Sequence, residues 1–257
     1  MARFREHFAG FEDHYVLIGG AACDLAMTEA GLDFRATKDL DIVLCVEVLD
    51  AAFVGAFWEF INHGGYRNRQ KSTGKRLFYR FHDPEDDSYP WMLELFSRTP
   101  DSLVLEDASH LAPIPAGGEI SSLSAILMDE GYYGFIHQSK REIEGLMAVT
   151  PECLIPLKAR AWLDLKARKA AGEEIDAKNI KKHKNDVFRL FQLLASETRI
   201  ELSASIASDL NTFLEALEAD TSGSLKPFGL TGMGVADVAS VLRIIYGLGD
   251  SEKPGNR

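Results

Sequence analysis

Short apolar runs and helical patterns alternate along residues 1–150 of the chain. Residues 15–18 (YVLI) are wholly apolar and predict a short buried strand. Residues 40–44 (LDIVL) predict a second strand, because their leucine and isoleucine positions share one face of an extended chain. Apolar positions at helical spacing predict helices over residues 21–30 and 48–61.

Two later apolar runs predict a hairpin. Residues 76–82 and 91–96 are predicted as strands, and the acidic, proline-containing stretch 83–87 between them is typical of a turn. Further short strands are predicted near residues 111–114 and 120–127. Strands interleaved with helices indicate an α/β or α+β sheet layer.

The pattern changes near Thr150, after which nearly every segment predicts helix. Thr150-Pro151 is a typical helix start. Pro156 interrupts the pattern, so we expect the long helix to begin there and to reach residue 171. Further helices are predicted over residues 177–195, 202–217 and 235–245. We therefore divide the chain into an α/β domain over residues 1–150 and a helical domain over 151–257, with a frayed end at 250–257.

Composition and charge narrow the function classes. Of 257 residues, 46% are hydrophobic, as in an ordinary globular protein, and the formal net charge of -11 argues against tight, non-specific binding of bulk nucleic acid. The cysteines, Cys23, Cys45 and Cys153, are far apart and odd in number, so neither structural zinc nor a disulfide framework is expected. The sequence contains neither a signal-peptide pattern nor an apolar run that spans a bilayer, so we expect a cytoplasmic protein without membrane association.

The most informative short motif is Asp39-Leu40-Asp41 at the start of the second strand. Alternation places Asp39 and Asp41 on one face, opposite Leu40. Two carboxylates this close repel each other unless a cation lies between them. Mg²⁺ binds through one or two such carboxylates together with substrate phosphates. The alternative interpretation is a half-exposed strand end with solvated acids.

A Gly19-Gly20 turn joins the first strand to the first long helix. Two glycines let the backbone approach a ligand closely and leave the first N–H groups of the helix directed at it, which suits an anion such as a phosphate. The turn is neither a P-loop nor a G-x-G-x-x-G dinucleotide turn. A purely structural turn is the alternative.

Glu94 interrupts the apolar run 92–96, where an unpaired acid is costly. It would complete a metal cluster with the two aspartates or act as general base toward an attacking hydroxyl. The alternative is a structural ion pair with a nearby arginine such as Arg80.

The order of these motifs resembles the nucleotidyltransferase superfamily of the DNA-polymerase-beta type. That order is an apolar strand, Gly-Gly, a helix, a loop carrying Arg35 and Thr37, and a strand carrying D-x-D. Three stretches are most similar to AbiEii-type proteins, the toxin halves of bacterial type IV toxin–antitoxin pairs. They are residues 18–22 (IGGAA), residues 37–42 (TKDLDI), and a helical region with Lys158 followed by residues 182–187 (KHKNDV). The resemblance implies a mixed sheet with flanking helices, followed by a C-terminal helical domain that closes a nucleotide cleft.

The resemblance also implies a set of site residues. It implies a nucleoside triphosphate substrate, Mg²⁺ as the cofactor (with Mn²⁺ as a substitute), and an antitoxin protein as a partner. The catalytic and metal-binding residues would be Asp39, Asp41 and Glu94. The nucleotide-binding residues would be Gly19, Gly20, Thr37, Lys158, Lys184 and Asp186.

Helical spacing gives an independent interpretation of the three residues in the helical domain. Lys158 falls within the apolar stripe of its helix, where a lysine needs an anion or a route to solvent. Lys184 lies on the stripe of the next helix, and Asp186 lies at its margin. For all three, a structural ion pair is the alternative to nucleotide binding.

These observations favour an enzyme that transfers a nucleoside monophosphate to a hydroxyl on RNA, such as a tRNA end, on a protein or on a small molecule. A basic run around residues 72–74 is either a loop that meets a phosphate or RNA, or a solvated loop; it comprises Arg67, Arg69, Lys71, Lys75 and Arg76. Two other interpretations stay open. One is a non-catalytic module that binds a nucleotide or a partner on the same fold, and the other is an unrelated α/β protein in which the motif is accidental.

Overall fold

The computed structural model describes residues 1–68, 79–99, 111–116, 119–220 and 224–249. These residues form two compact units, unit 1 over Met1–Thr150 and unit 2 over Pro151–Arg257. Most of the basic run around residues 72–74, the first part of the strand predicted over 76–82, and the end at 250–257 lie outside the described residues.

The described part of unit 1 contains a mixed sheet of eight strands. Seven of them follow the order β5-β6-β4-β2-β1-β8-β7, and β3 pairs with β4 outside this order. Its central pairings are β1 with β2, which is antiparallel, and β2 with β4, which is parallel. The strands are β1 (Tyr15–Ile18), β2 (Asp39–Leu44), β3 (Arg80–His82), β4 (Met92–Ser97), β5 (Leu111–Ala116), β6 (Glu119–Leu127), β7 (Lys140–Ile143) and β8 (Leu146–Val149). The predicted sheet layer is therefore confirmed as a mixed α/β sheet.

Four α-helices and a 3₁₀ turn (Glu12–His14) accompany this sheet in the described part of unit 1. The α-helices are α1 (Ala2–His7), α2 (Gly19–Glu29), α3 (Ala51–His63) and α4 (Glu130–Gln138). The helix predicted over 48–61 begins three residues later, because the Asp50 carboxylate accepts a hydrogen bond from the Phe53 N–H and fixes the start there. Asp129 caps α4 in the same way, through the N–H groups of Gly131 and Tyr132. The sequence patterns did not predict α4.

An aromatic cluster holds α1 and α3 together. The buried Phe8 ring lies 4.4 Å from Phe4, 5.7 Å from Phe53 and 5.5 Å from Phe60, measured between ring centroids. Burying a phenylalanine side chain contributes about 1.5–3 kcal/mol, and tilted ring pairs add to this. The apolar face of α3 that its sequence predicted therefore belongs to the core of unit 1.

The predicted hairpin is confirmed, whereas a second hairpin was not foreseen. β3 pairs with β4 in antiparallel register across the acidic turn. β7 and β8 form another antiparallel pair around Glu144 and Gly145, whose φ angles are 52° and 75°. Positive φ at both turn residues is typical of a tight two-residue hairpin turn. Glu-Gly is a weaker signal for this turn than Asn-Gly or Asp-Gly, and the strands are only four residues each.

The elements in the described part of unit 2 are all helical. They are α5 (Pro151–Ala170), α6 (Ala177–Phe191), α7 (Ala204–Ala219), a 3₁₀ turn (Lys226–Phe228) and α8 (Val235–Ile245). The prediction that Pro156 delays the start of the long helix is wrong, because α5 runs through it from Pro151. A proline cannot donate to the carbonyl four residues earlier, here that of Glu152. The buried Tyr246 hydroxyl donates to that carbonyl at 2.8 Å instead.

Cys23, Cys45 and Cys153 are all buried and unbridged. No helix in the described part of the chain has both the length and the apolar character needed to cross a bilayer.

Candidate active site

The two aspartates of the D-x-D motif lie on one face of β2, near the end of the neighbouring strand β1. Asp39 and Asp41 are half-buried, while Leu40 and Ile42 between and after them are buried on the opposite face. Asp41 is the register partner of Ile18, the residue that precedes the Gly-Gly turn. The strand alternation predicted from the sequence therefore places both carboxylates beside that turn.

Glu94 lies directly across from Asp41. Its strand, β4, runs parallel to β2, and the register pairs Asp41 with Glu94 and Asp39 with Met92. Register partners on adjacent strands project from the same face of a sheet. The backbone thus brings all three acids to one face.

The Glu94 carboxylate is nevertheless engaged by Arg80. Arg80 is its register partner on β3, and its Nε donates to Glu94 Oε1 at 2.6 Å, with a second hydrogen bond from the other guanidinium nitrogen. The Glu94 side chain is 12% exposed and that of Arg80 42% exposed. The ion pair that the sequence left as the alternative for Glu94 is therefore present.

Gly19 brings the backbone against the Asp41 carboxylate. Its φ is +67°, in the left-handed region, and a Cβ built on it would lie 1.8 Å from Asp41 Oδ2. No side chain fits there while Asp41 keeps this position. Gly19 is also the first residue of α2, whose start has no side-chain cap. The carboxylate thus lies at the positive end of a helix, which stabilises negative charge.

Gly20 lies under two further side chains from the loop that precedes β2. A Cβ on Gly20 would lie 2.7 Å from Thr37 Oγ1 and 3.5 Å from a terminal guanidinium nitrogen of Arg35. Arg35 also acts on Asp24, one turn further along α2: burial raises the pKa of the Asp24 carboxyl, and the Arg35 charge partly offsets this. The turn therefore combines a hydroxyl donor, a guanidinium and backbone N–H groups.

The donor set suits a hard divalent cation held by two protein carboxylates. Carboxylate oxygens are the ligands that Mg²⁺ prefers, and Mg²⁺ commonly takes only one or two from the protein. Among the described residues, no three acidic, histidine or cysteine side chains converge closely enough to hold a metal ion. The engagement of Glu94 by Arg80 is consistent with this. A role for Glu94 as third ligand stays a prediction.

The predicted nucleotide residues of unit 2 form their own ion pairs. Lys158 and Asp186 are both buried, and Lys158 Nζ lies 3.2 Å from Asp186 Oδ2. Arg189 approaches the other oxygen of Asp186 at 3.4 Å. Asp186 is fully buried, so the sequence expectation that it lies at the margin of its helix stripe is wrong. Lys184 lies elsewhere on α6, with Nζ 2.8 Å from Asp220 Oδ2. The assignment of these residues to a nucleotide stays a prediction.

Sequence reasoning gave Arg35 no role of its own and considered Arg80 only as a structural partner. Both stand out once the backbone register and the position of Gly20 are known. In the sequence, these two arginines are indicated only by their positions. Arg35 lies two residues before Thr37, and Arg80 lies in the strand predicted to pair with that of Glu94. Asp24 gave no signal in the sequence.

Comparisons with known proteins add little to this geometry. No protein-family model matches the sequence, and no curated protein matches it. Among solved structures, the chain is similar to the antibiotic-resistance factor ANT(2'')-Ia, with 14% identity over 85% of this chain and 92% of that one, at a TM-score of 0.38. It is also similar to the polyadenylate synthase of Megavirus, with 10% identity over 85% of this chain and 36% of that one, at a TM-score of 0.35. Scores this low carry no conclusion about activity.

Replacing Gly19 by alanine tests the close approach of Asp41. A left-handed φ costs a residue with a side chain about 1–2 kcal/mol, and in Gly19→Ala the added methyl also displaces the carboxylate. Gly31→Ala is the matched control, because its φ is +70° and its Cβ would meet open space. We expect Gly19→Ala to lower the free energy of unfolding, measured by urea titration, by more than Gly31→Ala does. Equal losses would contradict the described position of Asp41.

The buried pair in unit 2 is tested by removing one charge and then both. Lys158→Met removes the cation that lies 3.2 Å from Asp186, and breaking a buried pair costs about 3–5 kcal/mol of unfolding free energy. Lys158→Met with Asp186→Leu is expected to recover most of that loss. Lys169→Met, an exposed lysine on the same helix, should have little effect. A small loss for Lys158→Met would contradict a structural role for the pair.

Proposed function

We propose that unit 1 binds a nucleoside triphosphate together with a divalent cation and transfers the nucleoside monophosphate to a hydroxyl acceptor. The observation that carries this proposal is the contact of Asp41 with the Gly19-Gly20 turn, in register with Glu94. A phosphate site and a carboxylate pair for a cation then adjoin each other. Nucleotidyl transfer requires that combination, because its substrate is a metal-bound polyphosphate.

Each group of the site has a proposed task. Asp39 and Asp41 would hold Mg²⁺, with Mn²⁺ as a substitute, and the bound cation would neutralise charge on the phosphates. The backbone of Gly19 and Gly20 and the Thr37 hydroxyl would donate to phosphate oxygens. Arg35 adds a permanent positive charge above the same turn. Mutual repulsion between the aspartates and the phosphates is thereby reduced.

At the α-phosphorus, the proposed reaction forms one bond and breaks one. The acceptor oxygen bonds to the α-phosphorus, the bond from that phosphorus to the bridging oxygen breaks, and pyrophosphate leaves. The proton of the acceptor hydroxyl passes to a base. Glu94 lies in register with Asp41 and is the proposed base or third metal ligand once Arg80 releases it.

The finer assignments rest on the sequence resemblance. We propose on that basis that the protein is the toxin of a type IV toxin–antitoxin system and has an antitoxin partner. The acceptor would be RNA, a protein or a small molecule. Lys158, Lys184 and Asp186 would contribute to nucleotide binding. In unit 2 the Lys158 charge is already matched by Asp186. That pair would have to open for Lys158 to meet a phosphate, and the buried Asp186 carboxylate would then lose the Lys158 charge, which is costly.

A second candidate function is a non-catalytic module that binds the nucleotide without transferring it. The Arg80–Glu94 ion pair favours this candidate, because it occupies the carboxylate that would otherwise take the proton. The two candidates share the glycines and the aspartates and differ in whether Glu94 becomes available.

The transfer proposal is tested with labelled triphosphates. Wild-type protein, Mg²⁺ and total cell RNA or lysate should incorporate label from an α-labelled triphosphate and none from a γ-labelled one. Asp39→Asn with Asp41→Asn should lower incorporation by about 100-fold or more, since the metal-bound substrate loses its protein ligands. Asp87→Asn, an exposed acid in the turn before β4, is the matched control. Incorporation that survives the double substitution would contradict the assignment.

The role of Glu94 is tested by metal affinity, measured as Mn²⁺ binding by electron paramagnetic resonance in the presence of a triphosphate. If Glu94 is a ligand restrained by Arg80, Arg80→Met should tighten binding, and Glu94→Gln should weaken it by about tenfold or more. If Glu94 serves only the ion pair, both variants should leave the affinity within about twofold of wild type. The second result would remove Glu94 from the site and favour the non-catalytic candidate.

A further inference from the structure

A cavity of about 380 Å³ lies within unit 2, to which all of its described lining residues belong. It is bounded by α6, the end of α7 and the 3₁₀ turn that precedes α8. A second cavity of about 480 Å³ adjoins it and shares Lys181, Lys184 and Asp220 in its wall. Volumes of this size are typical of small-molecule sites. Lys184, which lines both cavities, is also a residue that the sequence resemblance assigns to nucleotide binding.

The wall of the smaller cavity carries an excess of positive charge. Lys181, Lys184 and Arg189 line it, against the single acid Asp220 among the described lining residues. Lys184 is paired with Asp220 at 2.8 Å. The charge of Arg189 is shared with Asp186, which Lys158 also neutralises. The lining and the buried pair behind it therefore sum to two positive charges, in a chain whose formal net charge is -11.

Two aromatic rings give the same cavity a flat apolar wall. Phe188 and Phe228 are stacked, with ring centroids 5.5 Å apart and an interplanar angle of 29°. The Arg189 guanidinium lies 5.1 Å from the Phe228 centroid. Phe188 is buried, whereas Phe228 is partly exposed and available to a ligand. The guanidinium lies over the Phe228 ring, and the lysines of the same wall add further positive charge, a combination that suits a planar ring carrying an anionic group.

The positive charge and the aromatic wall together narrow the class of anion that the cavity would bind. Inorganic phosphate would use the lysines and leave the rings unused, and an acidic peptide would bring no planar ring. A phosphate monoester carries about two negative charges at neutral pH, which matches the local excess. A nucleobase stacks on aromatic side chains whatever its sequence.

We propose that this cavity binds a nucleoside monophosphate group, with the phosphate at Lys181 and Lys184 and the base on Phe228. The group is either a free nucleotide or the 5′-phosphorylated end of an RNA strand. Both sources present the same chemistry to the cavity. The proposal shares Lys184 with the nucleotide binding that the sequence resemblance implies, but it does not depend on the reaction proposed for unit 1.

Binding is measured by isothermal titration calorimetry on the full chain carrying Asp39→Asn and Asp41→Asn, in EDTA, so that a metal-dependent nucleotide site in unit 1 is silent. The probes are the four nucleoside monophosphates, adenosine, inorganic phosphate, and a short RNA with a 5′-phosphate or a 5′-hydroxyl. We expect saturable binding of the monophosphates, of the 5′-phosphorylated RNA, or of both. Adenosine and inorganic phosphate should bind at least about tenfold more weakly.

Variants locate the site. Lys181→Ala and Phe228→Leu should each weaken binding by about tenfold, because one removes a cation and the other the stacking surface. Lys178→Ala, an exposed lysine on α6 outside both cavities, should leave binding unchanged. Binding of the monophosphates alone identifies a free nucleotide as the source, and binding of the phosphorylated RNA alone identifies an RNA end.

Three results would overturn the proposal. They are the absence of saturable binding by any nucleotide or RNA probe, inorganic phosphate binding as tightly as the monophosphates, and affinities that Lys181→Ala and Phe228→Leu leave unchanged. Because the measurement excludes divalent metal and the unit 1 aspartates, a negative result here leaves the transfer proposal standing, and a failure of transfer leaves this one standing.

Discussion

The Asp41 carboxylate lies against the backbone of Gly19, and the account of unit 1 depends on that contact. It exists because β1 and β2 are antiparallel and register Ile18 with Asp41, so the chain leaves β1 beside the carboxylate. Only a residue without a side chain allows the approach, since a Cβ on Gly19 would lie 1.8 Å from Asp41 Oδ2. The parallel pairing of β2 with β4 then adds Glu94 to the same face. Sheet register alone thus gathers acids that lie far apart in sequence.

Charge balance distinguishes the two units. In unit 1, acids gather beside a helix start with Arg35 and Arg80 as the nearby cations, and ligand phosphates would require a metal ion to join them. In unit 2, the buried Lys158–Asp186 pair is complete without a ligand. The excess of positive charge there belongs to Lys181, Lys184 and Arg189 on the wall of a cavity. A buried ion pair contributes little net stability compared with apolar residues of similar volume, whereas removal of one partner is strongly destabilising.

Much of the sheet was predictable from the sequence because its strands alternate cleanly or are wholly apolar. The alternation in β2 predicts the shared face of Asp39 and Asp41, and the apolar run of β1 predicts that the Gly-Gly turn follows it. The β7–β8 hairpin was missed, since four-residue strands around Glu144-Gly145 carry little pattern. The start of α5 was misplaced, because the partner that replaces the proline N–H is Tyr246, about ninety residues away. Whether the Glu94 carboxylate contacts a metal or Arg80 depends on side-chain positions, which the spacing of residues in the sequence does not determine.

In the proposed complex, Asp39 and Asp41 share a divalent cation with a triphosphate that is bound at Gly19 and Gly20. The most direct test is a crystal structure with Mn²⁺ and a triphosphate whose α,β-bridge cannot be cleaved, in which anomalous scattering locates the ion. A peak is expected within coordination distance of both aspartates, with phosphate oxygens at the Gly19-Gly20 backbone. A nucleotide bound elsewhere, or a peak that touches neither aspartate, would contradict it.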